Sequence, residues 1–218
     1  MPTHSPSAVL FDLDGTLIDS IELILSSYRH TMLSHRGATP PDSVWLAGLG
    51  TPLRAQFRTF TDDEAEVAAM VATYRTHNLA NHDRMVRAYP GVLEAVRHLH
   101  AAGRTLAIVT SKTRDGAQRG LRYCGFGGLF PVVVGADDVV RHKPDPEPVR
   151  HALALLGVPA TDAVFVGDSP HDLAAGRAAG VRTAAVAWGP FARGELDAME
   201  PDFWIATPQD LARFGRVE

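Results

Sequence analysis

Short apolar runs that recur after segments of helical period constrain this chain more than any other feature. Ala8 to Phe11, Thr105 to Val109, Val132 to Val134 and Ala163 to Val166 are rich in Val, Ile, Leu and Ala, and turn residues follow each. Strands apolar on both faces must be covered on both, so the pattern predicts an α/β fold, a Rossmann-like parallel sheet with crossover helices. Thr183 to Ala187 and Phe203 to Ala206 extend that sheet on its far side. Val92, Val96 and Leu99 fit a helix ended by Gly103, and Val149, Leu153 and Leu156 fit one ended by Gly157.

The spacing breaks in one place. The first strand ends near Phe11 and the second starts near Thr105, whereas the later strands follow one another closely. Residues from about Ser20 to Arg87 hold no convincing strand but several helical stretches, among them Ile21 to His35 and Asp62 to His82. The economical reading is a core of residues 1–19 and 88–218 with an all-helical domain of residues 20–87 inserted on the first crossover.

With 21 Lys and Arg against 25 Asp and Glu the net charge is −4, and no long block of like charge occurs. That excludes an electrostatic footprint for nucleic acid or an anionic membrane surface. The longest apolar runs are strand-sized, and the opening Met-Pro-Thr-His-Ser-Pro lacks a basic region before an apolar stretch, so a cytoplasmic protein acting as monomer or homodimer is expected. The single cysteine, Cys124, excludes an internal disulfide and Cys-based zinc sites and reads as a small buried residue.

The chemistry gathers where strands end. Val9-Leu10-Phe11-Asp12-Leu13-Asp14-Gly15-Thr16 places two carboxylates two residues apart at the end of the first strand. In an open parallel sheet that rim is where ligands bind. A strand period of two sets Asp12 and Asp14 on one side, where charges about 4 Å apart would repel by roughly 4 kcal/mol at an effective dielectric near 20, so a cation or a shared proton is required. The second strand ends in Thr110-Ser111-Lys112, a hydroxyl and loop N–H groups able to hold phosphate oxygens. Arg141-His142-Lys143-Pro144-Asp145-Pro146 follows the third, and Gly167-Asp168-Ser169-Pro170-His171-Asp172 ends the fourth with a second pair of acids. Oxygen ligands of this kind suit a hard cation, Mg²⁺ above all. Only two of the 21 cationic residues are lysine. Lys143 is therefore read as a placed point charge that a guanidinium cannot replace, while Lys112 is read as a solvated surface residue.

Asp12-Leu13-Asp14-Gly15-Thr16, Thr110, Lys143 and Gly167-Asp168-Ser169-Pro170-His171-Asp172, in this order at four strand ends, resemble the four motifs of the haloacid dehalogenase superfamily. The helical insertion is similar to the cap domain of its phosphatase-like subgroup. Gly50-Thr51-Pro52-Leu53, Tyr74 to Asn78 with His82-Asp83, and Ala185 to Trp188 are similar to the bacterial inorganic pyrophosphatases and phosphoglycolate phosphatases of that superfamily. The resemblance implies a Mg²⁺-dependent hydrolase of a small phosphorylated metabolite, pyrophosphate first and 2-phosphoglycolate second. Asp12 would be the nucleophile that becomes an aspartyl phosphate, and Asp14 the acid and base. Mg²⁺ would be held by Asp12, Asp168 and the main-chain carbonyl of Asp14. Thr110 and the N–H of Ser111 would grip the transferring oxygens, Lys143 would bridge nucleophile and phosphate, and Asp172 would orient Lys143 or a metal-bound water from behind. Arg54, Arg75, Asn78 and His82 are the candidates for substrate selection from the cap, with Tyr74, Asn78 and His82 on one helix face. A phosphomutase of the same fold, in the manner of β-phosphoglucomutase, is the alternative, and a non-catalytic scaffold is a third.

Overall fold

The computed structural model describes residues 5–215. The chain opens with β1 (Ala8–Phe11) and β2 (Ile18–Asp19), then enters the helices α1 (Ile21–Arg36), α2 (Asp42–Leu46), α3 (Leu53–Phe57) and α4 (Glu64–Met85). It returns through β3 (Arg87–Ala88) to α5 (Val92–Ala101), β4 (Thr105–Val109), α6 (Arg114–Tyr123) and β5 (Val132–Val134). The last part runs α7 (Glu147–Leu156), β6 (Ala163–Gly167), α8 (Pro170–Ala179), β7 (Arg182–Val186), α9 (Arg193–Asp197) and β8 (Phe203–Ile205).

Six strands form one parallel sheet in the order β5-β4-β1-β6-β7-β8. β1 lies at its centre, and all four of its residues are fully buried, as strands covered on both faces require. Alternate residues feed two cores. Val9, Phe11, Ile108, Val164 and Val166 pack beneath α5 and α6, and Leu10, Ala107, Val109 and Phe165 pack beneath α7 and α8. α5 buries Val92, Val96 and Leu99, and α7 buries Val149, Ala152 and Leu153 and ends at Gly157 in the left-handed conformation. The expected strands all form, each within a residue of its expected ends.

Between β2 and β3 the described chain is helical, with a core of its own. Tyr28, Trp45, Phe57 and Tyr74 pack ring on ring, Tyr28 stacked on Trp45 at 4.0 Å between centroids. β2 and β3 pair antiparallel over two residues each, where the sequence shows no strand, because two residues carry no period to read. Among the described residues no helix is long and apolar enough to cross a membrane. Cys124 is half-buried rather than buried, and burial pushes its thiol up to about 11, so it is not activated.

Connections leave β1 for β4 on one side and come back to β6 on the other. That reversal opens a crevice beyond the carboxyl ends of β1, β4 and β6, and the polar motifs sit there.

Candidate active site

Asp12 directly follows β1, and its N–H donates to the Val166 carbonyl at 2.9 Å, which fixes the residue as a continuation of the sheet. Its buried side chain accepts a hydrogen bond at 2.8 Å from Nζ of Lys143. The same ammonium donates at 2.5 Å to Oδ1 of Asp172 and is 1% exposed. Asp172 is the third residue of α8, and it closes a capping box with Ser169: Oδ2 accepts from the Ser169 N–H at 3.1 Å and from its hydroxyl at 2.6 Å. Both carboxylate oxygens of Asp172 are thus engaged, Oδ1 by Lys143 and Oδ2 by Ser169. Asp168, at the end of β6, accepts from Oγ1 of Thr16 at 2.6 Å. Two glycines let the backbone close around it. A Cβ on Gly15, whose φ is +87°, would lie 2.5 Å from Asp168 Oδ2, and one on Gly189 would lie 2.3 Å from Asp168 Cβ.

Asp12, Asp168 and Asp172 offer oxygens within 4.8 Å of one another, all buried. One ammonium stands against three carboxylates. Burial pushes Asp12 up to about 7 against the pull of Lys143, and burial with the charges of Asp172 and Asp12 holds Asp168 well above the usual carboxylate range. Burial also works against the Lys143 ammonium, but Asp12 and Asp172 outweigh it and its proton is held more tightly than in water. Buried negative charge of this kind needs protons or a cation, and hard oxygen donors fit a divalent ion. With Asp172 committed to Lys143 and Ser169, Asp12 and Asp168 are the carboxylates left to hold one.

Asp14 is arranged differently. The strand stops at Phe11 and the chain turns at Gly15, and the two acids meet different ammonium groups, Asp12 that of Lys143 and Asp14 that of Lys112. Nζ of Lys112 donates to both Asp14 oxygens, at 2.6 and 2.8 Å, and Oγ of Ser20 donates to Oδ1 at 2.5 Å. The expectation of a solvated Lys112 is therefore corrected: its side chain is 17% exposed and pairs with an active-site acid. The signal was its rarity, since both lysines of the chain hold a carboxylate of the Asp12-Leu13-Asp14 motif.

Asp12, Asp14 and Asp168 line a cleft of about 570 Å³ between the strand ends and the helical unit. Thr110 and Ser111 line it from β4, and Ser111 Oγ donates at 2.5 Å to the carbonyl of Gly50, joining core to helices. The four candidates on the helical side reach different ends. Arg75 lines the cleft, exposed, with no ion pair among the described residues. Arg54 lines it too but pairs with Glu64. Asn78 donates to Oγ of Ser27 and so ties α4 to α1. His82 is buried, its Nδ1 is 2.7 Å from Asp83 Oδ1, and its Nε2 has no partner among the described residues. Three further groups had no role assigned from the sequence: Ser20, Thr16 and Trp188, whose indole N–H donates to the Thr16 carbonyl at 3.0 Å and braces the loop over Asp168.

Comparison with known proteins agrees with this geometry. A family model for haloacid dehalogenase-like hydrolases matches residues 9–186. Pyrophosphatase PpaX of Bacillus velezensis is 44% identical over 213 residues, 97% of either chain, and Pyrophosphatase PpaX of Halalkalibacterium halodurans is 41% identical over 205 residues, 94% of either chain. A crystal structure of a predicted phosphoglycolate phosphatase from Haemophilus somnus superposes with a TM-score of 0.87 at 23% identity, covering 98% of this chain and 100% of that one, which speaks for the fold. A sheet that brings two lysines and four aspartates to one rim, and a family match spanning most of the sequence, lead to one conclusion: the chain belongs to the haloacid dehalogenase-like hydrolases.

Proposed function

We propose that this enzyme is a Mg²⁺-dependent phosphatase that hydrolyses pyrophosphate, with 2-phosphoglycolate as the second choice, through an aspartyl phosphate on Asp12. The observation that carries the proposal is the buried cluster in which one lysine joins Asp12 to Asp172 beside Asp168, open to a cleft. Asp12 and Asp168, with the main-chain carbonyl of Asp14, would hold Mg²⁺, which when bound supplies the positive charge that lets a carboxylate approach an anionic phosphoryl group. Lys143 keeps the Asp12 carboxylate aimed and balances charge as its oxygen bonds to phosphorus. Thr110 Oγ1 and the Ser111 N–H orient the transferring oxygens. Asp14 delivers a proton to the departing oxygen as the P–O bond breaks, then takes one from the water that hydrolyses the aspartyl phosphate. Residues 20–87 serve as the cap, with Arg75, Arg54 and His82 on the substrate side.

Pyrophosphate stands first because the relatives at 44% and 41% identity carry that activity in their names. The test is phosphate release from pyrophosphate, 2-phosphoglycolate, sugar phosphates and nucleotides, with Asp12→Asn and chelated enzyme as blanks. The expected result is Mg²⁺-dependent release, with kcat/KM for pyrophosphate at least about tenfold above the rest, or about 1.4 kcal/mol of transition-state preference. Release that survives Asp12→Asn would overturn the mechanism. Interconversion of sugar phosphates without net release would favour a mutase.

A further inference from the structure

Lys112 has no part in the mechanism above, yet it makes the closest charged contact to the group assigned as acid and base. Among the described residues the Asp14 carboxylate accepts two hydrogen bonds from Lys112 Nζ and one from Ser20 Oγ. That carboxylate lies outside the group of Asp12, Asp168 and Asp172. The stem of Lys112 lies on Gly116 in the first turn of α6, where an added Cβ would come within 3.1 Å of Lys112 Cγ and 3.3 Å of Cδ. The stem packs on the helix and the ammonium end is part-exposed in the cleft, where an incoming anion would meet it. Lysine suits an exchange of partners: a compact charge with three rotatable donors moves from one anion to another, whereas a guanidinium fork keeps a bidentate grip. Arg75, without an ion pair among the described residues, and Arg119, held by Asp83, line the same cleft.

We propose that Lys112 is a positioning residue that parks Asp14 in the free enzyme and transfers its charge to an anionic leaving group when substrate enters. The inference rests on the phosphatase reading and names its substrate class, phosphates whose leaving group is itself an anion, a second phosphate or a carboxylate. Such a group competes with Asp14 for the ammonium. The leaving group then departs already paired with Lys112, and Asp14, released from it, is left to act at the departing oxygen as the P–O bond breaks. An uncharged leaving group offers nothing for the ammonium to move to, and Asp14 stays parked.

Two measurements test this. The first is the ratio of kcat/KM for pyrophosphate to that for phenyl phosphate, in the wild type, Lys112→Met and Lys112→Arg. Lys112→Met is expected to lower the ratio by about thirtyfold or more, with KM for pyrophosphate raised, and Lys112→Arg to bring it back to within about tenfold of wild type. A ratio that moves by less than about threefold in Lys112→Met, or no recovery with arginine, overturns the proposal. The second measurement does not depend on how Lys112→Met folds. The chain has two lysines, so Asp12→Asn protein labelled at lysine Cε gives two assignable NMR signals, and pyrophosphate with Mg²⁺ is expected to move that of Lys112 while phenyl phosphate does not. Equal shifts with both compounds, or none with either, overturn the proposal as well. If the wild type releases phosphate from no compound, the phosphatase reading itself fails; if it turns over but the ratio is insensitive to residue 112, only this inference does.

Discussion

Replacing Lys143 by methionine keeps the volume of the stem and removes the cation that touches Asp12 at 2.8 Å and Asp172 at 2.5 Å. At an effective dielectric near 20, each contact at about 3 Å is worth roughly 5 kcal/mol of attraction, most of it offset by the desolvation of three buried ions. Taking away one partner of such a set leaves the others uncompensated, at about 3–5 kcal/mol. For a protein of this length that lowers Tm by roughly 6–20 °C. The pH dependence makes the prediction specific. Asp12 is pushed up from 3.8 to about 7, chiefly by burial, so between those values the folded protein binds more protons than the unfolded chain, and this group's contribution to stability falls as pH rises through that window. Without Lys143 the carboxylates lean still more on protons, so the fall must steepen. Thermal unfolding in chelator is therefore expected to show a gap between wild type and Lys143→Met that is modest at about pH 5 and widens to the full value by about pH 8. A constant gap across that range, or a variant as stable as wild type at the alkaline end, would refute the reasoning.

Two other perturbations follow from the same cluster. Asp168→Asn replaces a buried carboxylate, held well above its usual range by burial, with a neutral amide, so urea unfolding in chelator near pH 8 should show about 1–3 kcal/mol of added stability while the rise in Tm on adding Mg²⁺ disappears. Retention of that rise would show that the ion binds elsewhere. Gly15→Ala puts a methyl group 2.5 Å from Asp168 Oδ2 at a φ of +87°, and is expected to cost about 1–3 kcal/mol and at least about a hundredfold in kcat/KM, measured by thermal unfolding and phosphate release.

The sheet was legible because its signal is local and repeated: Ala8 to Phe11 is apolar on both faces, and Gly157 closes α7 in the left-handed conformation its type favours. Asp12, Thr110 and Asp168 were legible because polar residues directly after buried runs have few structural reasons to be there, and Lys143 because lysine is rare in a chain whose other cations are arginine. Which ammonium meets which acid was not legible. Asp14 lies 98 residues from Lys112, and Asp12 and Asp172 lie 131 and 29 residues from Lys143, so the pairings exist only once the strands are side by side. Asn78 and His82 share a helix face in the sequence pattern, but what that face meets depends on α1 and α6, and Asn78 turned to Ser27 while His82 was buried beside Tyr123. Nor does the strand period name the lysine that Asp14 meets, because the turn at Gly15 ends the pattern.

The account stands on Asp12 forming a covalent bond to phosphorus at the rim of β1. Acid quenching during turnover of pyrophosphate with Mg²⁺, followed by peptide mapping in the mass spectrometer, measures that directly. The account predicts a phosphoryl adduct on the peptide that carries Asp12, lost after chelation and in Asp12→Asn. Rapid phosphate release with no adduct there at any quench time, or an adduct on a different residue, would contradict it.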